Sequence, residues 1–255
     1  LLYYIVSMLI IKMFYEFIIY NTCSILFIYT TDKTLCYLYN DKSRWFQLHF
    51  LINMLISYYT INDTISILLN PDNTQYSITN YEGGALSLSL HVYHALFFDL
   101  TTTDIYHHIS SVLFAVPTNI IYNKRTNAMF YFFLTGIPGG LDYLCLTLVK
   151  HNKMNYITQK SFSSKQNTFI RIPGGMICCY LIFYSMRYLD TYSEIICAFL
   201  LLLLIFFNVT IFGQMAIENY AVRKYERDNP KYTQFQQFAV IEYATKKYLR
   251  KKPDK

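Results

Sequence analysis

Residues Glu194–Met215 read EIICAFLLLLLIFFNVTIFGQM, with a single charge at the very start. The middle of this run, Leu200–Phe207, has no polar side chain at all. A helix on the surface of a soluble domain needs one polar face. A bilayer core instead takes ~20 consecutive apolar residues per helical crossing. The run therefore reads as a transmembrane helix. Six more runs of this kind precede it: Leu1–Tyr29, Trp45–Leu69, Ala85–Thr103, His107–Tyr122, Asn127–Val149 and Phe169–Leu189. The expected fold is all-α, a multi-pass transmembrane bundle of about seven helices. The first run is broken only by Lys12 and Glu16, spaced to pair on one helix face. It lacks a cleavage site of small residues and is not read as a signal peptide.

Composition agrees. Of 255 residues, 54% are hydrophobic and 15% charged, with 26 Tyr and 20 Phe. Soluble domains carry roughly 25% charged residues. The net charge of +6 does not gather into a basic domain, so nucleic acid is not an expected partner; membrane lipids are. The six cysteines, at 23, 36, 145, 178, 179 and 197, form no C-x-x-C pair. They read as small buried hydrophobes rather than as disulfides or zinc ligands.

Charge between the runs gives an orientation. Lys and Arg gather on the cytoplasmic side of membrane proteins. Basic residues crowd the stretch 221–255, the loop holding Lys150, Lys153, Lys160, Lys165 and Arg171, and the link with Lys33, Lys42 and Arg44. These alternate with the acidic or neutral stretch Asn70–Gly84 and with Asp190 and Glu194. Only Lys124 and Arg125 break the pattern. The C-terminus is expected in the cytosol and the N-terminus on the other side. In the tail, Phe235, Phe238 and Ile241 are partly spaced for an amphipathic helix, and Lys251–Lys255 approximates a dilysine retrieval signal.

Ile137-Pro138-Gly139-Gly140 recurs as Ile172-Pro173-Gly174-Gly175. Such breaks survive within a membrane only where they are buried in protein or line a cavity. The first lies inside a run and is the candidate for a cavity wall. The second reads as a helix start at the interface.

Five of the six histidines sit in or beside the runs: His49, His91, His94, His107 and His108. Ionisable groups at membrane depth are costly and mark function by default. His91 and His94 share a helix face, and Asp104 stands three and four residues before His107 and His108, within reach of either imidazole. Asp142 follows the first Pro-Gly-Gly break and needs a partner, a histidine or Arg44. Three readings remain open: a general base for acyl transfer, a metal site, and a polar network that only fixes packing. A di-iron centre of the membrane desaturase kind needs about eight histidines, more than are present. No metal is expected. No P-loop, G-x-G-x-x-G, G-x-S-x-G or H-E-x-x-H motif occurs. Of two glycosylation sequons, Asn208-Val-Thr210 sits within a run and Asn62-Asp-Thr64 close to the end of one; both are expected to be silent.

The segment Leu90–Ala115, LHVYHALFFDLTTTDIYHHISSVLFA, resembles the centre of TLC domains, shared by ceramide synthases, translocon-associated proteins and lipid-homeostasis proteins. It has their aromatic-Asp-Leu stretch at Phe98-Asp99-Leu100 and their His-His pair at His107-His108. Arg44-Trp-Phe-Gln-Leu-His49 is similar to the Arg and His of the first helix, and Asp142-Tyr143-Leu144 to the end of the ceramide synthase signature. Where those enzymes carry a further His-Asp pair, this chain has Pro138 and Gly139, and it lacks their homeobox-like insert.

The resemblance implies three parts: an N-terminal transmembrane helix over 1–30, a six-helix TLC-like domain around a central cavity over 44–215, and a basic cytosolic tail over 221–255. It implies a role in membrane lipid metabolism or homeostasis, in the endoplasmic reticulum or another endomembrane. An enzyme of this kind would be an acyltransferase, with acyl-CoA as substrate and no cofactor. His107 or His108 would then be the base and Asp142 the orienting acid. Arg44, His49, His91, His94, Asp99 and Asp104 would meet the substrate. A non-enzymatic lipid sensor or transporter, or a structural membrane protein, is the alternative.

Overall fold

The computed structural model describes residues 2–39 and 43–229, with side chains from residue 15 onward apart from that of Thr103. The Lys12–Glu16 pair, Lys42, the amphipathic face of the tail and its dilysine end involve residues outside the described ones.

Among the described residues there are seven long helical segments and no strand. They are α1 (Leu2–Tyr39), α2 (Arg44–Leu69), α3 (Glu82–Phe97), α4 (102–122), α5 (Thr126–Lys150), α6 (Tyr156–Tyr188) and α7 (Tyr192–Asp228). By length and composition, α5, α6 and α7 can each cross a membrane, and they mark the chain as membrane-embedded.

The burial pattern is that of a protein in lipid. Large apolar side chains face outward: Leu96, Leu113, Phe183 and Phe207 are 70%, 64%, 66% and 54% exposed. Asn53, Ser57, Thr60, Asp63, Ser87 and Ser89 are buried. Contiguous apolar surface of this kind marks contact with a membrane or with another protein.

Successive connections lie at alternate ends of the bundle. At one end, Tyr184, Arg187 and Tyr188 of α6 all donate to Asp72 in the α2–α3 connection. Arg125, between α4 and α5, donates its backbone N–H to Tyr76 of that same connection. At the other end, Ser43 before α2 meets His151 after α5 at 2.8 Å. Arg44 lies over the ring of Phe98, which follows α3, at 4.7 Å.

Several boundaries differ from the sequence reading: α1 runs past Tyr29 to Tyr39 and takes Lys33 into the helix, α3 ends at Phe97 rather than Thr103, and α4 begins at Thr102 rather than His107. Helix α6 starts at Tyr156, so the supposed basic loop 150–171 shrinks to a short turn capped by Asn155, whose side chain accepts from Ile157 N–H at 2.8 Å. Its polar first turns, Gln159, Ser163, Ser164 and Gln166, are buried within the bundle, so they did not read as a span. Helix α7 continues to Asp228 and spans about 55 Å, well beyond a hydrocarbon core of ~30 Å. Residues 221–228 therefore prolong the last helix.

Three of the helices share one device. Val116, Ile137 and Ile172 each precede a proline, and each donates its N–H five residues back, to Ser111, Phe132 and Asn167 respectively. An ordinary α-turn reaches four residues back. Proline lacks an N–H, and its ring crowds the carbonyl four residues before it. Widening the preceding turn relieves that crowding without ending the helix. The second Ile-Pro-Gly-Gly is therefore not a helix start: it lies in mid-α6, and the wide turn Asn167–Arg171 carries the helix through it.

The first repeat sits where α5 presses on α2. A Cβ on Gly136 would overlap Ser57, and one on Gly139 would stand 2.7 Å from Asn53 Nδ2. Small residues let helix backbones approach in this way. In the second repeat, Gly174 and Gly175 leave room for Phe133 and Val209.

Candidate functional site

The three wide turns converge on one cavity of about 250 Å³. The turn in α4 gives Ser111, Val112 and Ala115 to its wall, that in α5 gives Leu134 and Thr135, and that in α6 gives Asn167 and Arg171. Pro138 and Gly139 line it as well, as do His49, His91, His107 and Asp142.

The histidines form a connected group. His91 Nδ1 lies 2.7 Å from the Ser87 carbonyl, which can only accept, so that nitrogen carries the proton. His91 Nε2 is then an acceptor, and it faces His107 Nε2 at 3.1 Å. His107 must supply the N–H there. Its lone pair is left on Nδ1, which is buried and has no partner. A second pair lies alongside, with His108 Nε2 3.0 Å from His94 Nδ1. Neither His94 nor His108 lines the cavity. The Trp45 indole packs on both His49 and His94, ring centres 3.4 and 3.6 Å away, and Tyr143 packs on His49 at 4.3 Å.

Each carboxylate proposed from sequence has its own place. Asp104 does not reach an imidazole. It caps α4, accepting from Thr101 N–H at 2.8 Å and Thr101 Oγ1 at 2.7 Å, the reciprocal arrangement of a capping box. Asp142 accepts from Gln159 Nε2 at 2.9 Å, in place of the expected histidine or Arg44. Asp99 is exposed in the α3–α4 link.

Arg44 is already engaged. Its guanidinium forms a two-point pair with Asp32, which is fully buried and also accepts from Tyr93 Oη at 2.6 Å. The cationic group that does line the cavity is Arg171. Its Nη2 donates to Asn208 at 3.3 Å, and its Nε is buried with no partner. Sequence reasoning assigned Arg171 to a cytoplasmic loop. The one available signal was its position directly before the second Pro-Gly-Gly.

Lys124 and Arg125, which broke the charge pattern, are tied down. Arg125 pairs with buried Asp63 at 3.4 Å, and Lys124 donates to the Gln75 carbonyl at 3.2 Å. Among the described residues no group of three His, Cys, Asp or Glu side chains is arranged to hold a metal. No protein-family model, curated protein or solved structure matches this chain.

Proposed function

We propose that this chain is a TLC-like membrane protein of lipid metabolism, with seven crossings and a cytosolic C-terminus, that transfers an acyl group to a lipid hydroxyl or amine inside the histidine cavity. The alternating connections and the apolar exterior support seven crossings. The order Phe98-Asp99-Leu100 then His107-His108 supports the TLC reading, and with it an endomembrane such as the endoplasmic reticulum.

One observation carries the chemistry. The relay from the Ser87 carbonyl through His91 to His107 leaves the free lone pair on His107 Nδ1, a buried atom of a ring that lines the cavity, and the ring must turn slightly for an acceptor to reach it. A general base needs its lone pair free and its ring held. His107 Nδ1 takes the proton of the acceptor's O–H or N–H. The acceptor oxygen or nitrogen attacks the thioester carbonyl of acyl-CoA, the C–S bond breaks, and the departing thiolate recovers the proton from His107. His91 accepts from the imidazolium throughout. Arg171, with its unpartnered N–H, meets the negative charge that develops on the carbonyl oxygen. Of the pair named from sequence, His107 is thus the base, and His108 supports the ring assembly through His94.

The test is lipid profiling of cells that carry His107→Ala, with the variant checked for membrane insertion and thermal midpoint. Loss of one acylated lipid class is expected. An unchanged profile with a folded protein would sink acyl transfer. Altered lipid movement with no product lost would identify a carrier instead.

A further inference from the structure

Helices α2 to α7 all contribute to the wall of the histidine chamber, and Arg171 is the only Lys or Arg on it. Arg171 stands midway along α6. Its neighbours, the Asn208 amide and the Phe212 ring at 6.0 Å, carry no charge. No ion pair among the described residues includes it. Asp142 shares the wall, but its Oδ1 accepts from Gln159 Nε2 and it does not pair with Arg171. A cation held inside a membrane bundle is costly unless an anion meets it.

The chamber also holds uncommitted donors. A guanidinium only donates, so the 3.3 Å contact with Arg171 Nη2 fixes Asn208 Oδ1 as the acceptor and leaves Asn208 Nδ2 free. Arg171 Nη1 and Asn208 Nδ2 make no hydrogen bond to another described residue, and neither is sealed in protein as Arg171 Nε is. The hydroxyls of Ser111 and Thr135 are in the same state. All four residues line the chamber. Each wide turn thus supplies one free donor, Ser111, Thr135 and Arg171, and α7 adds Asn208.

We propose that the chamber binds a phosphate ester, its phosphate on Arg171 Nη1 and Asn208 Nδ2, with Ser111 and Thr135 as further donors on the same wall. A phosphate brings three strong acceptor oxygens to such a set, and a carboxylate only two. The planar guanidinium fork also matches phosphate geometry. The volume of about 250 Å³ lies below the roughly 300–1,000 Å³ of pockets that enclose a whole drug-sized ligand, and suits a headgroup. A phosphate on the Nη1 side leaves the Nε edge of Arg171 for the transfer step. The inference names a ligand for the same chamber and holds with or without acyl transfer. A lipid headgroup and a water-soluble ester carry the same group, and the experiment separates them.

The experiment is photo-crosslinking of the purified full chain in dodecyl maltoside, a detergent without phosphate. Lysophosphatidic acid with a diazirine near the glycerol end of its chain is compared with the matching monoacylglycerol and fatty acid, and adducts are mapped by mass spectrometry. No acyl-CoA is present, so the result is independent of turnover. Lysophosphatidic acid should label α5 and α6 near Thr135 and Arg171 at least about ten-fold above the other two, the margin expected for one charge-assisted hydrogen bond. Arg171→Gln should remove that margin and leave labelling by monoacylglycerol unchanged. Displacement by equimolar glycerol 3-phosphate would assign the phosphate to a water-soluble ester, and displacement by unlabelled lysophosphatidic acid alone would assign it to a lipid headgroup. The comparison of probes on the unaltered chain does not depend on folding of the variant. Equal labelling by monoacylglycerol, stronger labelling by the fatty acid, or adducts confined to the outer helix faces would overturn the proposal.

Discussion

The Nε2 atoms of His91 and His107 lie 3.1 Å apart, and this contact decides which nitrogen of His107 is free. His91→Phe keeps a ring in place but lets His107 adopt either tautomer. Acyl transfer is expected to lose about 10²-fold in kcat, within the usual range for general-base catalysis, with KM for the acyl donor little changed. Steady-state kinetics on the purified protein would separate the two. An effect on KM alone would mean that His91 only shapes the cavity.

Asp63 and Arg125 form a buried pair, with side chains 4% and 23% exposed. Asp63 also accepts from Thr79 N–H at 2.7 Å, holding the α2–α3 connection. Removing one partner of a buried pair costs about 3–5 kcal/mol, whereas replacing both with apolar groups is often near neutral. Asp63→Leu should therefore lower the thermal midpoint in detergent much more than the double variant Asp63→Leu, Arg125→Leu. A double variant as unstable as the sum of the two single ones would show that the charges do not depend on each other.

Gly136 is where α5 comes closest to Ser57 of α2. Gly136→Ala should destabilise by about 1–3 kcal/mol through overpacking. Gly84→Ala, whose new methyl would stand 3.2–3.4 Å from the hydroxyl end of the Tyr131 ring rather than overlap a neighbour, should change stability by less. Denaturation of both variants under the same detergent conditions checks the order.

Asp72 lies in the α2–α3 connection, and hydrogen bonds from Tyr184 and Tyr188, with Arg187 beside them, hold its carboxyl below the usual carboxylate range. A depressed carboxylate contributes stability above its unfolded value, near 4, and loses it as pH falls through the folded value. Amides of residues 72–76 should show high protection, relative to their intrinsic exchange rates, at pH 6 and lower protection below about pH 4. In Asp72→Asn, protection should be low at both values. An unchanged pH profile in that variant would remove Asp72 as the cause.

The last helix was legible because a run as apolar as Leu200–Phe207 needs no partner to declare itself. The start of α6 was hidden because Gln159, Ser163 and Gln166 face inward, an arrangement that resembles a loop in sequence. His91 and His107 could be named from their cost at membrane depth, but their contact joins two helices and leaves no local pattern. Arg44 and Arg171 exchanged expected places for the same reason. Asp32 lies twelve residues before Arg44, and nothing in that spacing announces the pair. The wide turns were half visible, since the prolines were plain and the five-residue reach before each was not.

The most direct test is acyl transfer by the purified chain in nanodiscs, with labelled acyl-CoA and a mixture of lipid alcohols and amines. A labelled lipid product is expected from the unaltered protein, strongly reduced by His107→Ala and only partly by His108→Ala. No product from the folded, unaltered protein, or equal product from His107→Ala, would contradict it.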